Sequence, residues 1–345
     1  MNWIMVLIGI IVIVGLIWAL LRKNITRAYR PFLNVYAIDK NNNVILTNII
    51  FLTHPFSQYE HVDTYEKYKK SGNVFLGMTS YSEFPEMISN PHDRFNNPDD
   101  MAWNYNYGEI VDGWCYCFRE PEKYIKDNKP RLLLSESDFI NYKILSPKSN
   151  PTYDFIYICM KDNDSCTPGW QSYNRNWEKA KLMLKIMCEK FGLKGLLIGR
   201  LNCEIPMSCH QLMNLTDFQD YRTFIQNYNK VKFIFVPNIT DASPRVVTEA
   251  MCFDLPVFMN SSIIGGWKYI TPETGAFFNN DMTDFENDLK NFLDKLGTYT
   301  PRKYFIENYG KYNSGKRLLD FVKKVYPKDK LNFDIDTIDY IMPGI

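Results

Sequence analysis

With 345 residues the chain can bury one large core or two modest ones, and at roughly 150 residues per domain two are expected. Its 40 Lys and Arg offset 39 Asp and Glu, so no global field draws it to nucleic acid or to a membrane surface, and partners must be recognised locally. Hydrophobic residues at 46% and aromatics at 15% exclude a disordered chain and predict packed cores.

The first element in chain order is the uncharged run "WIMVLIGIIVIVGLIWALL", Trp3 to Leu21. At about 1.5 Å rise per residue it spans roughly a 30 Å hydrocarbon layer, and Trp3 and Trp18 suit the two interfacial belts. Residues 1–22 are therefore expected to be a single-pass membrane anchor contacting the bilayer. A cleaved signal peptide fits less well, because no basic segment precedes the run and no small-residue cleavage site follows. Arg22, Lys23, Arg27 and Arg30 all follow it, which by the positive-inside rule places the remaining chain in the cytoplasm.

After a short basic linker, "NVILTNIIFLTH" (Asn43 to His54) predicts a strand, "VDTYEKYKKSG" (Val62 to Gly72) a helix closed by glycine and "NVFLGMTSY" (Asn73 to Tyr81) a second strand. A strand–helix–strand unit implies a parallel pair. From Phe84 to Asn106 the composition turns to Asn, Pro and Asp, the mark of a long loop, and the polar, proline-bearing "SPKSNPTYD" (Ser146 to Asp154) is the expected inter-domain linker. Residues 23–149 are thus a short N-terminal α/β domain. Beyond it "DFIYICM", "LKGLLIGR", "KVKFIFVP" and "LPVFMN" are strands, separated by helices at "WEKAKLMLKIMCEKFG", "FQDYRTFIQNYN" and "SPRVVTEAMC". This alternation predicts a doubly wound parallel sheet over residues 150–328, followed by an acidic tail at 329–345.

The cysteines Cys115, Cys117, Cys159, Cys166, Cys188, Cys203, Cys209 and Cys252 include no C-x2-C pair, so no zinc site is expected, and reduced thiols are the simpler reading. The pairs Asp162-x-Asp164 and Asp334-x-Asp336 have metal-ligand spacing, but such pairs arise readily in an Asn/Asp-rich chain. His54, between a predicted strand and Pro55, is more readily structural than catalytic.

The densest chemical signal is "VPNITDASPRVVTEAMCFDLPVF", Val236 to Phe258. Ser243 followed by Pro244 predicts a helix start directly after a strand, leaving Asp241 in the connecting loop and Glu249 one to two turns up the helix. In doubly wound sheets ligands bind outside the carboxyl ends of the strands, where helix N-termini offer free N–H groups. At about 100° per residue Val246, Val247, Ala250 and Met251 share one arc, and Arg245, Thr248 and Glu249 fall opposite, facing a ligand at the loop. An acid pair at this spacing is, taken alone, a common pattern of turn and surface residues.

Asp241-x7-Glu249-Ala250 followed by "FDLPVF" resembles the signature of the C-terminal domain of GT-B-fold, retaining glycosyltransferases of the family-4-like type. The similarity continues in "IIGGWKYI" at the family's Gly-Gly loop, in "TPETGAFF" at its G-x-T-G turn, and upstream in "YICMK", ending in Lys161, and in Arg175 before a helix. The resemblance covers about residues 150–325. It implies a GT-B-like α/β fold, two Rossmann-like domains facing a cleft with the short N-terminal one on the acceptor side. It further implies a nucleotide-sugar donor whose diphosphate meets Lys161, Arg175 and the Gly265-Gly266 loop, with Ser243 and Arg245 at the adjoining helix start. Asp241 would hydrogen-bond the donor sugar and Glu249 the ribose hydroxyls. Neither a metal nor another cofactor is expected, and the acceptor is a glycan, lipid or protein. Departures from the pattern are Asp241 for Glu, Pro244 for glycine and Phe253-Asp254 for small residues. They leave as an alternative a membrane-tethered scaffold that binds nucleotide-sugar without turnover; an epimerase of the same fold is a further one.

Overall fold

A computed structural model describes residues 30–81, 84–86, 105–147 and 150–344. The apolar run Trp3 to Leu21 and most of the Asn/Pro-rich stretch lie outside the described residues. Among the described residues, no helix is long and apolar enough to cross a membrane.

The chain runs β1 (Phe32–Asp39), β2 (Val44–Leu52), α1 (Tyr59–Lys70), β3 (Val74–Met78), β4 (Trp114–Tyr116) and β5 (Arg131–Leu133) through the first domain. It continues with β6 (Phe155–Ile158), α2 (Trp177–Phe191), β7 (Gly195–Ile198), β8 (Met213–Thr216), α3 (Tyr221–Gln226), β9 (Phe233–Val236), α4 (Arg245–Cys252), β10 (Val257–Asn260) and β11 (Gly275–Phe278). Helices α5 (Phe285–Asp294), α6 (Pro301–Asn308) and α7 (Gly310–Val325) follow, and β12 (Ile338–Pro343) closes the chain. The elements form two six-stranded sheets, ordered β12-β1-β2-β3-β4-β5 and β11-β10-β9-β6-β7-β8.

The second sheet is parallel throughout, as its apolar runs require. Successive residues of β9 feed opposite cores: Phe233 and Phe235 join a cluster of stacked aromatics with Phe258, Phe278 and Phe292, and Ile234 and Val236 pack under α4. Helix α2 turns Trp177, Ala180, Met183, Leu184, Met187 and Cys188 inward and stops at Gly192, whose φ of 60° is the left-handed cap that glycine adopts without strain. In the first sheet β2 and β3 are parallel, as expected from the strand–helix–strand reading. Strands β4, β5, β8 and β11 go beyond the predicted ones, and two more lie in segments read as linker and tail. The basic linker contains β1, antiparallel to β2, and the segment read as a tail contains β12, antiparallel to β1 with Ile341 opposite Ala37. Leading into β12, α7 packs Leu318, Leu319, Phe321 and Val322 into the first domain's core.

Two disulfides correct the all-thiol expectation: Cys166–Cys203 joins the loops after β6 and β7, and Cys188–Cys209 ties α2 to the segment before β8. Cys115, Cys117, Cys159 and Cys252 are free and buried. The spacings of 37 and 21 residues follow no zinc or redox motif; proximity comes from the parallel sheet, which sequence spacing does not encode.

The domains meet at a buried ionic node. Asp138, in the single turn Glu136–Phe139, is fully buried and receives Lys268 Nζ at 2.6 Å, the Tyr269 hydroxyl and the Ser135 N–H at 3.1 Å, with Arg317 of α7 at 3.8 Å. Burial pulls the Lys268 ammonium below the ordinary lysine range, against the opposing pull of Asp138. Beside the node, Ser137 Oγ donates to the Ser243 carbonyl at 2.9 Å and Trp267 Nε1 to the Cys117 carbonyl at 2.8 Å.

Removing one partner strands the other charge in a dry interface, at a cost of about 3–5 kcal/mol. Asp138→Ala is therefore expected to lower the denaturant midpoint far more than Asp138→Leu combined with Lys268→Met; equal losses would show that the node carries no special weight. For the cysteines, unfolding without reductant in an alkylating agent should label four thiols, those of Cys115, Cys117, Cys159 and Cys252. Labelling of all eight would refute the pairing.

Candidate functional site

In the second sheet the strand order reverses between β6 and β9, and such a switch point opens a crevice at the carboxyl ends of the strands. Lys161 follows β6 and Asp241 follows β9, so the sequence-predicted residues flank this crevice. Asp241, 14% exposed at its side chain, accepts from Arg175 Nη1 at 2.8 Å and Asn238 Nδ2 at 3.1 Å. The fold thus brings Arg175 and Asp241, 66 residues apart, into one ion pair.

The Gly265-Gly266 loop lies directly on the Asp241–Pro244 loop. The Gly265 N–H donates to the Asp241 carbonyl at 3.0 Å, and a Cβ on Gly265 would stand 1.7 Å from the Ala242 carbonyl oxygen. Gly266, with φ of 77°, would drive a Cβ into the Pro244 ring. Both glycines are required by backbone packing at the site. Lys161 leans the other way, toward β8, with Asp164 at 3.2 Å and Asp217 at 3.8 Å. Asp162, half of the metal-spaced pair, turns back to accept from the Gln171 N–H at 2.6 Å, the Ser172 N–H at 3.0 Å and Ser172 Oγ at 2.5 Å.

Glu249 departs from the helical-wheel expectation. Its side chain is 2% exposed, since α4 buries Thr248 and Glu249 as well as the apolar arc. Oε1 takes Arg245 Nε at 2.9 Å and the Tyr221 hydroxyl at 3.1 Å, and Oε2 takes the Tyr228 hydroxyl at 3.3 Å. Burial raises its carboxyl above the ordinary glutamate range, opposed by Arg245 and the hydroxyl donors. Arg245 and Tyr221, 52% and 47% exposed, cover it, with the guanidinium 5.5 Å from the Tyr221 ring. Sequence reasoning missed both tyrosines, although their spacing of seven residues hinted at a shared face.

Across from Arg245 lie residues at the carboxyl ends of the first sheet. Arg30, Ser80, Glu136 and Ser137 face Tyr221, Ser243 and Arg245 over a cavity of about 480 Å3. Ser243 Oγ also meets Ser137 Oγ at 2.8 Å, so it serves the domain contact. His54 sits behind Arg30, bonded to Thr53 Oγ1 at 2.8 Å and to Arg30 Nη1 at 3.0 Å, and stacked on Tyr81 at 4.4 Å. Burial first, then Arg30 and His61, push its pKa down to about 3. The folded state therefore binds fewer protons than the unfolded chain between about pH 6.5 and 3, and stability, full above 6.5, falls as the pH drops. The expected slope approaches 1.4 kcal/mol per pH unit below about pH 6. Urea midpoints at pH 7.5 and 5 should diverge in the wild type and converge in His54→Gln; the same pH response in both would remove His54 as the cause.

No family profile matches the chain, and no curated protein matches it by sequence. Solved structures do. The apo form of the lipopolysaccharide outer core galactosyltransferase WaaB aligns over 80% of this chain and 75% of its own, at 11% identity and a TM-score of 0.54. A glycosyltransferase from Rickettsia africae ESF-5 aligns over 80% and 76%, at 13% identity and 0.52. A point mutant of S. aureus TarM, in complex with fondaparinux, alpha-GlcNAc-glycerol and UDP, aligns over 72% and 50%, at 13% identity and 0.51. The two-sheet architecture is the GT-B fold of these glycosyltransferases.

Proposed function

We propose that the protein is a glycosyltransferase that moves a sugar from a nucleotide-sugar donor to an acceptor in the cleft, with retention of anomeric configuration. The observation that carries this reading is the Arg175–Asp241 pair at the switch point of a GT-B fold, beside the Gly265-Gly266 loop and the start of α4. The likeness to glycosyltransferases, one of them holding UDP, supports it.

Sugar transfer passes through an oxocarbenium-like state as negative charge gathers on the departing diphosphate. Arg175 is the cation for that charge beside the switch point, and Lys161 joins it by leaving Asp164 and Asp217. Asp241, whose carboxylate also orients Arg175, is the contact for the donor sugar. Both oxygens of Glu249 are occupied, so a ribose hydroxyl reaches it by replacing the hydroxyl of Tyr221. The run Trp3 to Leu21 attaches the protein to a membrane, and the basic residues after it put the catalytic domains on the cytosolic side. The two disulfides weigh the other way, toward an oxidising compartment.

Detergent-solubilised protein should release UDP or GDP from one member of a nucleotide-sugar panel. Glu249→Ala and Asp241→Asn should each lower the rate by on the order of 10²-fold, the scale of losing one oriented charged contact in a transition state. Saturable donor binding without release would select the scaffold alternative, and absence of both would sink the donor reading. Protease added from the cytosolic face of intact membranes should digest the folded domains; protection would reverse the orientation.

A further inference from the structure

We infer that the acceptor is an acidic saccharide, its anionic group held by Arg119 where the loops after β4 and β10 meet. The inference deepens the transferase reading and rests on it. Arg119 follows β4 at the carboxyl end of the first sheet, and its guanidinium carbon lies 5.4 Å from the Trp267 ring and 5.3 Å from the Phe277 ring of the second domain. These rings hold the guanidinium by cation–π attraction, which uses none of its N–H donors. Burial against them pulls its pKa down, and no neighbouring charge acts on it. Among the described residues, no carboxylate or carbonyl is bonded to Arg119. It is an oriented cation with its counter-ion missing.

Arg119 lines a cavity of about 220 Å3 shared by the two domains, with Phe118, Lys123 and Tyr124 on one side and Ser262 and Ile264 on the other. The acid in the lining, Glu120, is paired with Lys123, so those two charges cancel and the arginine supplies the net charge. Ser262 is exposed, and its hydroxyl is bonded to none of the described residues. A planar fork of N–H donors beside a hydroxyl matches the paired oxygens of a carboxylate or a phosphate. Tyr124, half-buried with its ring 4.2 Å from that of Phe118, adds the flat apolar surface on which a sugar ring rests.

None of these residues serves the donor, yet the cavity adjoins it. Phe118 packs with Ala242, the neighbour of Asp241, and Tyr124 and Ile264 lie against the same cluster. The Ile264 N–H donates to the Ile239 carbonyl at 3.0 Å, which fixes this wall to the loop that carries Asp241. With strands in the order β10-β9-β6, a sugar at Arg119 stands on the opposite side of Asp241 from Arg175 and the diphosphate. In the transfer, an acceptor hydroxyl oxygen bonds the anomeric carbon as the bond from that carbon to the diphosphate oxygen breaks. The nucleoside diphosphate leaves with the electron pair and takes up the hydroxyl proton.

Titration calorimetry on the full chain, in a polyoxyethylene detergent that carries no sugar, tests this with glucuronate, glucose 6-phosphate and glucose. The acidic probes should bind about ten-fold more tightly than glucose, the scale of a hydrogen-bonded charge. Arg119→Gln should abolish that preference, Ser262→Ala should reduce it about three-fold, and exposed Lys185→Gln should leave it unchanged. Ser262→Ala does not touch the stacked rings, so the test survives if Arg119→Gln disturbs the fold. Tighter binding of glucuronate identifies a carboxylate as the anionic group, and tighter binding of glucose 6-phosphate a phosphate. Equal or absent binding of the three probes, an acid preference intact in both cavity variants, or full displacement of the probe by UDP or GDP would overturn the inference. Nucleotide-sugar titration of the same sample separates the two readings. Acid-sugar binding without donor binding defeats the transferase reading, and donor binding without acid-sugar binding defeats only the acidic acceptor.

Discussion

The carboxylate of Asp138 lies between two sheets and answers to groups from both. Lys268 and Tyr269 reach it from the loop that follows the paired glycines, the Ser135 N–H from its own turn, and Arg317 from the helix returning to the first domain. Charges withdrawn from water are tolerable only when their partners are held in place, and here those partners also belong to the site. Lys268 follows Gly266 by two positions, Asp138 follows Ser137, and Ser137 bonds Ser243 at the entrance to α4. The geometry of the cleft is therefore set by an ionic contact whose central carboxylate is shut away from solvent.

Within the cleft the two carboxylates occupy different environments. Asp241 is partly open and shares its charge with an arginine across the switch point, an arrangement that a ligand can enter by displacing one hydrogen bond. Glu249 is enclosed, with a raised pKa caused by burial, and it works on its surroundings through Arg245 and Tyr221. An alanine at either position would remove a carboxylate, but only the second would also release two cleft-facing side chains.

Four strands of the second sheet were legible in the sequence because strands buried on both faces read as unbroken apolar runs, and "FIYI", "GLLI", "FIFV" and "VFMN" are such runs; the less buried outer strands β8 and β11 were not. β1 was lost in the basic segment before it, and β12 because its partner lies about 300 residues upstream, beyond any local pattern. At the site, the loop position of Asp241 followed from Ser243-Pro244, whereas its bond to Arg175 depends on β6 lying beside β9. The helical wheel of α4 failed at Thr248 and Glu249 because it presumes one covered face; the tyrosines supplied between β8 and β9 cover the second. The disulfides were illegible for the reason that β12 was: contact order is not written in spacing.

The return of β12 to β1 has a consequence for how the chain assembles. Residues 155–278 form their sheet from contiguous sequence, so that unit can collapse as soon as it is synthesised. The first sheet, begun more than 100 residues earlier, waits with the β1 edge unpaired until α7 and β12 emerge. Although encoded first, the domain carrying Arg30 and His54 is the later of the two to complete, and for that interval its open strand edge is the surface most exposed to wrong partners.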